Sequence, residues 1–211
     1  MPVNLDEAHD LICTNWSDIR AHIPALEQAA SEATSIIELG VRSGVSTIAF
    51  LYAMREQVTP DMVGARGTVY SVDVDWPTGP FTGLLSEIAA ERALGAWEFI
   101  HGDDLSPPVL DRLPDEADVV FIDTTHGYEQ TLNELMIYKP LVNDGGRILL
   151  HDVMLEHPVT APGDDPRFPV KQAVEKFCGA FQLYYEINSE EDEQYAQWTN
   201  GCLNGLATVY V

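Results

Sequence analysis

Five short apolar runs that alternate with helical stretches, each closed by a glycine or a carboxylate, constrain this chain more than any other feature. Residues 35–39 stop at Gly40. Residues 68–75 carry Asp73 and Asp75, residues 97–100 run into His101-Gly102-Asp103-Asp104, residues 117–122 stop at Asp123, and residues 147–150 stop at His151-Asp152. A strand that is apolar along its length is buried on both faces, and strands alternating with helices build a parallel sheet covered on both sides. The expected class is therefore α/β, with a doubly wound, mostly parallel sheet. Ligands in such a sheet bind beyond the carboxyl ends of the strands, so the closing residues are where function is to be read.

The flanks follow other patterns. Trp16, Ile19, Ile23, Leu26 and Ala30 recur at steps of three and four, which predicts a leading helix over 16–30 with Pro24 as a kink or restart. Helices are also expected over 46–54, 84–94, 129–142 and 170–181. Residues 155–169, rich in Pro, Gly and Asp, read as a lid loop. Two strand-like runs, 181–187 and 206–211, stand on either side of an acidic connection and predict a C-terminal antiparallel pair. Residues 1–211 are read as a single domain that opens with a helical segment, 1–34.

Charge narrows the function. Eleven Lys and Arg stand against 34 Asp and Glu, a formal charge of -23. Nucleic-acid binding neutralises phosphates with Lys and Arg, so no nucleic-acid partner is expected, nor an anionic membrane. The first residues have neither the basic stretch nor the apolar run of a signal peptide, and no apolar run reaches the roughly 20 residues that span a bilayer, so a cytoplasmic protein is expected. Cys13, Cys178 and Cys202 contain no C-x-x-C pair. Neither a disulfide framework nor a structural zinc is expected from their spacing.

The glycine turn after the first run separates the cofactors. A dinucleotide fingerprint beginning at Gly40 needs glycines at 42 and 45, but Arg42 and Val45 stand there. A phosphate-cradling G-x-x-x-x-G-K-[ST] loop is also missing. What remains is E-x-G-x-x-x-G-x-S, a tight passage that suits an adenosine-containing cofactor without phosphates. Asp73, at the end of the second run, can accept both hydrogen bonds of a ribose diol, and Asp103, after the third, can accept from an adenine amino group. Glu38 inside the first run needs donors, because an apolar strand gains nothing from an unpaired buried carboxylate.

Over residues 36–153 this ordered set resembles the class I S-adenosylmethionine-dependent methyltransferases. The resemblance implies a seven-stranded, Rossmann-like sheet. It implies that Glu38, Gly40, Gly44 and Ser46 meet the methionine part of S-adenosylmethionine, that Asp73 holds the ribose, and that Asp103 reads the adenine. The stretch Phe121-Ile122-Asp123-Thr124-Thr125-His126-Gly127-Tyr128-Glu129, followed by Gly145-Gly146 and then His151-Asp152, is similar to a small-molecule O-methyltransferase subgroup. That subgroup includes the cephalosporin hydroxylase-like and sugar O-methyltransferases, with the pattern I-D-G-D-H-x-Y-E and then G-G-x-x-x-x-H-D; Thr125 stands where its members often have Asp. Metal-dependent members bind Mg²⁺ through the acids at these two strand ends, which implies Asp123 and Asp152 here.

Methyl transfer to a hydroxyl needs an aligned acceptor, exclusion of water and a group that takes the proton. His126 and His151 both follow strand ends and are the candidate bases. The expected activity is Mg²⁺-assisted O-methylation of a small hydroxylated molecule. Its rivals are a nicotinamide-dependent oxidoreductase on a related sheet and a non-catalytic cofactor-binding module. The C-terminal strand pair offers a surface on which a homo-oligomer could form.

Overall fold

The structure, a computed structural model, describes residues 4–15, 17–56, 67–91, 96–157, 166–189 and 205–211. Seven strands form one sheet: β1 (Ser35–Leu39), β2 (Thr68–Asp73), β3 (Ala96–His101), β4 (Ala117–Ile122), β5 (Val142–Leu150), β6 (Tyr184–Asn188) and β7 (Leu206–Tyr210). Their order across the sheet is β3-β2-β1-β4-β5-β7-β6. The first five strands are mutually parallel, and β7 lies antiparallel between β5 and β6. The doubly wound sheet and the C-terminal antiparallel pair are as expected. The chain winds outward from β1 in one direction to β3 and then in the other from β4, so the switch point falls between β1 and β4.

Period-two alternation explains why the strand sequences are continuously apolar. Ile36, Val69, Val119, Phe121 and Leu149 join one core, with α1 (Leu5–Thr14), α2 (Ile23–Ala30), α3 (Val45–Glu56) and α4 (Thr82–Glu91). Their neighbours Ile37, Val72, Val120, Ile122, Ile148 and Leu150 point the other way, into a core with α6 (Tyr128–Tyr138), α7 (Pro169–Phe181) and the short α5 (Pro107–Leu110). Strands β1, β2, β4 and β5 therefore remove apolar surface from water on both faces at roughly 25 cal/mol per Å². Among the described residues, no helix is long and apolar enough to cross a membrane.

The leading segment departs from the periodic reading. In place of one helix over 16–30, α1 ends at Thr14, a 3-10 turn covers Arg20–His22, and α2 begins at Ile23 with Pro24 in its first turn. Proline suits that position, where its missing N–H would have no intrahelical partner. Helix α1 had its own signals: Asn4 caps Glu7 N–H at 2.9 Å, Asp6 and Glu7 lie in the first turn, and Leu5, Ala8 and Ile12 form its buried face. Trp16 lies outside the described residues.

Strand β5 starts at Val142, ahead of the expected Arg147: Val142 pairs with Ala117 of β4, and Gly145 and Gly146 hydrogen-bond with Val211 on the other side. The middle of the expected lid, 158–165, lies outside the described residues. Its two stems are joined by a hydrogen bond from His157 N–H to the Arg167 carbonyl and by an ion pair between Arg167 and Glu156.

Candidate active site

The strand ends at the switch point enclose a crevice of about 290 Å³. Gly40, Val41 and Arg42 line it from the turn after β1, Asp73 and Val74 from β2, and Gly102 and Asp104 from β3. Asp123 to His126 and Gln130 line it from the β4 side, and Asp152 from the end of β5. Five separate strand ends thus converge on one hollow.

The floor of the turn is fixed by Glu38. Its side chain is fully buried and accepts hydrogen bonds from Ser46 Oγ (2.6 Å), Thr47 Oγ1 (2.8 Å) and Ser71 Oγ. Trp97 Nε1 donates in turn to Ser71 Oγ at 2.8 Å. One carboxylate therefore ties β1, β2, β3 and the first turn of α3 together. Burial pushes the Glu38 carboxyl up, and the hydroxyls of Ser46, Ser71 and Thr47 only partly offset this, leaving it at about 7. Neither Glu38 nor Ser46 lines the crevice; both act beneath it. The donors that Glu38 needs come from the chain itself.

Gly40 has φ +85, and a Cβ there would come within 2.0 Å of the Asp123 carbonyl oxygen. Gly44 has φ +81 and stands behind the turn, where a Cβ would meet Leu85 Cδ1 at 2.8 Å. Asp73 Oδ2 accepts from Val41 N–H (2.7 Å) and Arg42 N–H (3.1 Å), while Oδ1 accepts from Asp75 N–H at 3.0 Å. An ionised carboxylate offers about four acceptor positions, so Asp73 braces the turn and still has capacity for a ligand.

Of the acid doublet after β3, the structure turns Asp104 into the crevice and leaves Asp103 exposed. Asp103 Oδ1 accepts from Leu105 N–H at 3.0 Å, an Asx turn. Asp104 is almost fully buried, with Oδ2 unpartnered, and its carboxyl is raised by burial and by the charge of Glu134. Gln130 lies between those two acids and donates to Glu134 at 2.8 Å. Asp104 and Gln130 are crevice residues that strand-end reading does not select, because adjacent acids in a turn point in different directions.

On the far side, Asp123, His126 and Asp152 form a triad. His126 Nε2 lies 3.1 Å from Asp123 Oδ1 and 3.0 Å from Asp152 Oδ2. Burial disfavours the imidazolium, but hydrogen bonds and charge from the two carboxylates prevail and lift His126 to about 10. Burial would likewise raise Asp123, yet His126 and His151 hold it well below the usual carboxylate range. His151 is only 1% exposed and does not line the crevice. Its Nδ1 sits 3.2 Å from Asp123 Oδ1, and its ring meets His22 edge-on at 5.6 Å. Burial and the neighbouring His151 push His22 down to about 4.

Among the described non-glycine residues, four have positive φ: Arg42 (47°), His126 (60°), Asp152 (57°) and Gln182 (57°). Gln182 closes α7, and the other three line the crevice. Such backbone costs on the order of 1 kcal/mol or more per residue and gathers where function over-determines the fold.

These residues can hold a divalent cation. Asp152 Oδ1 is buried without a hydrogen-bond partner, and one ligand atom from each of Asp123, His126 and Asp152 lies within 4.8 Å of the others. An unpartnered buried carboxylate oxygen is costly unless a cation or donor meets it.

The profile of a methyltransferase domain family matches residues 37–153, more than half of the chain. The chain belongs to this family. Its fold is that of the class I S-adenosylmethionine-dependent methyltransferases. The O-methyltransferase TomG from Streptomyces achromogenes, involved in tomaymycin synthesis and solved with S-adenosylmethionine, superposes with a TM-score of 0.65 at 18% identity over 100% of this chain and 90% of that one. An O-methyltransferase from Bacillus cereus, solved with S-adenosylhomocysteine, gives 0.63 at 16% identity over 100% and 91%. The S-adenosylhomocysteine-bound methyltransferase PaMTH1 of Podospora anserina gives 0.59 at 17% over 99% and 88%. At these identities the likeness is one of fold. A curated relative, the uncharacterized protein R132 of Acanthamoeba polyphaga mimivirus, is 40% identical over 50 residues, and the match spans 23% of its length. In this methyltransferase domain the antiparallel β7 lies between β5 and β6, whereas the dinucleotide-binding sheet runs 3-2-1-4-5-6.

Proposed function

We propose that this protein is an S-adenosylmethionine-dependent O-methyltransferase that acts on a small hydroxylated molecule, with a divalent cation such as Mg²⁺ at its acid triad. One observation carries the reading: the side-chain-free passage at Gly40 and the carboxylate of Asp73 share a single crevice with Asp123, His126 and Asp152. A nucleoside cofactor and an acceptor hydroxyl would meet there.

S-adenosylmethionine, when bound, supplies a sulfonium-activated methyl group. Asp73 would accept from the ribose hydroxyls while bracing the turn, and Gly40 would let the amino-acid tail pass close to the backbone. Asp104, in place of Asp103, would face the adenine side. Glu38, Gly44 and Ser46 would act indirectly, by fixing the turn's shape. Asp123 and Asp152 would hold the cation, which lowers the pKa of a coordinated hydroxyl. Of the two histidines, only His126 reaches the crevice, where it pairs as an imidazolium with both acids; it would become a proton acceptor only after losing that proton as the cation takes its place between Asp123 and Asp152. His151 would be a positioning residue that orients Asp123.

Titration calorimetry with S-adenosylmethionine and S-adenosylhomocysteine tests the cofactor. Micromolar binding is expected for wild type, and absence of binding would refute the proposal. A methyl-transfer screen over phenols, catechols and sugars, with and without EDTA, tests the acceptor class and the cation separately.

A further inference from the structure

A second cluster of ligand-type side chains lies away from the crevice, on the helical layer. His9 and Cys13 stand one turn apart on α1, and Glu27 reaches them from α2. His9 Nε2 is 2.5 Å from Glu27 Oε1 and 3.6 Å from Cys13 Sγ. One ligand atom from each of the three residues falls within 4.8 Å of the others. The imidazole is held in place by stacking on Tyr52 of α3, with ring centroids 3.6 Å apart and planes 9° from parallel. The nearby cation Arg55 is ion-paired with Asp6 at 2.5 Å.

We propose that His9, Cys13 and Glu27 form a zinc site that clips α1 to α2. Around a tetrahedral zinc, with bonds near 2.0 Å to nitrogen and oxygen and 2.3 Å to sulfur, a nitrogen and a sulfur lie about 3.6 Å apart, and a nitrogen and an oxygen about 3.3 Å apart. The first separation already holds between His9 and Cys13, and the second needs Glu27 to withdraw by less than about 1 Å. Thiolate, imidazole and carboxylate together suit zinc: Mg²⁺ and Ca²⁺ avoid thiolate, and Cu(I) avoids carboxylate. Cys13 is exposed, so water can complete the tetrahedron and the ion can enter from solvent. Binding releases the Cys13 thiol proton to solvent, and His9 presents an Nε2 without a hydrogen to the ion.

The position gives the clip a consequence. The chain between α1 and α2 places Asp18 on Arg42 of the crevice at 2.6 Å and His22 against His151. A tie across the two helices therefore steadies the segment that supports one wall of the crevice. The sequence gives little sign of the site, because the H-x-x-x-C pair of His9 and Cys13 has no C-x-x-C beside it and the third ligand lies 18 residues beyond His9.

Co²⁺ titration of the EDTA-treated full chain tests the site. Wild type should develop a near-ultraviolet thiolate-to-cobalt charge-transfer band that zinc displaces. Cys13→Ser should abolish the band, and His9→Gln should weaken binding by more than about tenfold, since losing a ligand exceeds the roughly 10–100-fold cost of losing an outer-shell partner. An Asp123→Asn/Asp152→Asn double variant should keep the band, which separates this site from the crevice. Zinc should also slow alkylation of Cys13, followed by peptide mass, in wild type but not in Glu27→Gln. A cobalt spectrum without a thiolate band, or Cys13 alkylation indifferent to zinc, would overturn the proposal.

Discussion

The α-carbon of Gly40 faces the carbonyl oxygen of Asp123 so closely that a Cβ there would stand 2.0 Å from it. Asp123 N–H also donates to the Leu39 carbonyl at 2.8 Å, and Gly40 N–H to the Val72 carbonyl at 2.9 Å. The glycine turn after β1 and the end of β4, which carries the candidate cation ligand, are thus built against each other. Their geometry is shared.

Gly40→Ala should therefore be disproportionately costly. Both a positive φ and a backbone clash oppose the methyl group, and we expect a loss of ~2 kcal/mol or more, a fall in Tm of roughly 4–8 °C for a domain of this size. Gly145 is the control: its φ is +83, but nothing lies within 4 Å of an added Cβ. Gly145→Ala should lose about 1 kcal/mol. Thermal unfolding of the two variants checks the difference, and equal losses would mean that close approach at Gly40 contributes nothing.

The acid doublet after β3 and Asp73 make a second test. Asp73→Ala removes the acceptor for two backbone N–H groups of the turn together with the proposed ribose contact, so affinity for S-adenosylhomocysteine should fall about 10–100-fold. Asp103→Ala, at an exposed turn, should leave affinity nearly unchanged. Asp104→Ala should weaken it. Calorimetry on the three variants decides, and a larger effect at Asp103 than at Asp104 would restore the strand-end reading of the adenine side.

The sheet was legible because its central strands must be apolar on both faces, a pattern visible in one dimension; the β1 turn was legible because Gly40 takes a positive φ against the Asp123 carbonyl, where no side chain fits. The side-chain directions were not. Glu38 reads as a ligand in sequence because a buried carboxylate needs donors, but Ser46, Thr47 and Ser71 lie 8, 9 and 33 residues away and supply them. Asp103 and Asp104 differ only in which way a turn points them. His151 and His126 both follow strand ends, and three-dimensional access separates them. Helix α1 carried its cap, its acidic first turn and its apolar spacing, but the longer periodicity around Pro24 masked the break between α1 and α2.

Glu38 also gives a pH test. Folding raises its carboxyl from an ordinary 4.5 to about 7, so the folded chain keeps a proton that the unfolded chain has lost between those values. The stability this group contributes is complete below 4.5 and is lost as pH rises through about 7. Relative to Glu38→Gln, wild type should lose on the order of 2–3 kcal/mol between pH 5 and 8.5. Urea denaturation of both proteins across that range measures it, and parallel pH profiles would show that the carboxylate is ionised in the fold at little cost.

The triad can be tested without an assay for the acceptor. His126 holds a positive charge between Asp123 and Asp152, so His126→Ala leaves two carboxylates, one with an unpartnered buried oxygen, facing each other with only the buried His151 to offset their charge. In EDTA the variant should be less stable than wild type. Mg²⁺ at about 100 times its dissociation constant should restore ~2.7 kcal/mol, roughly 5–10 °C in Tm. His126→Ala/Asp152→Asn should regain little, because one of the two charges that attract the ion is gone. Wild type should respond less than His126→Ala, since the ion must first displace the imidazolium. If Mg²⁺ and Mn²⁺ leave the Tm of both wild type and His126→Ala unchanged, the acids serve only to seat the histidine, and the cation drops out of the proposed reaction.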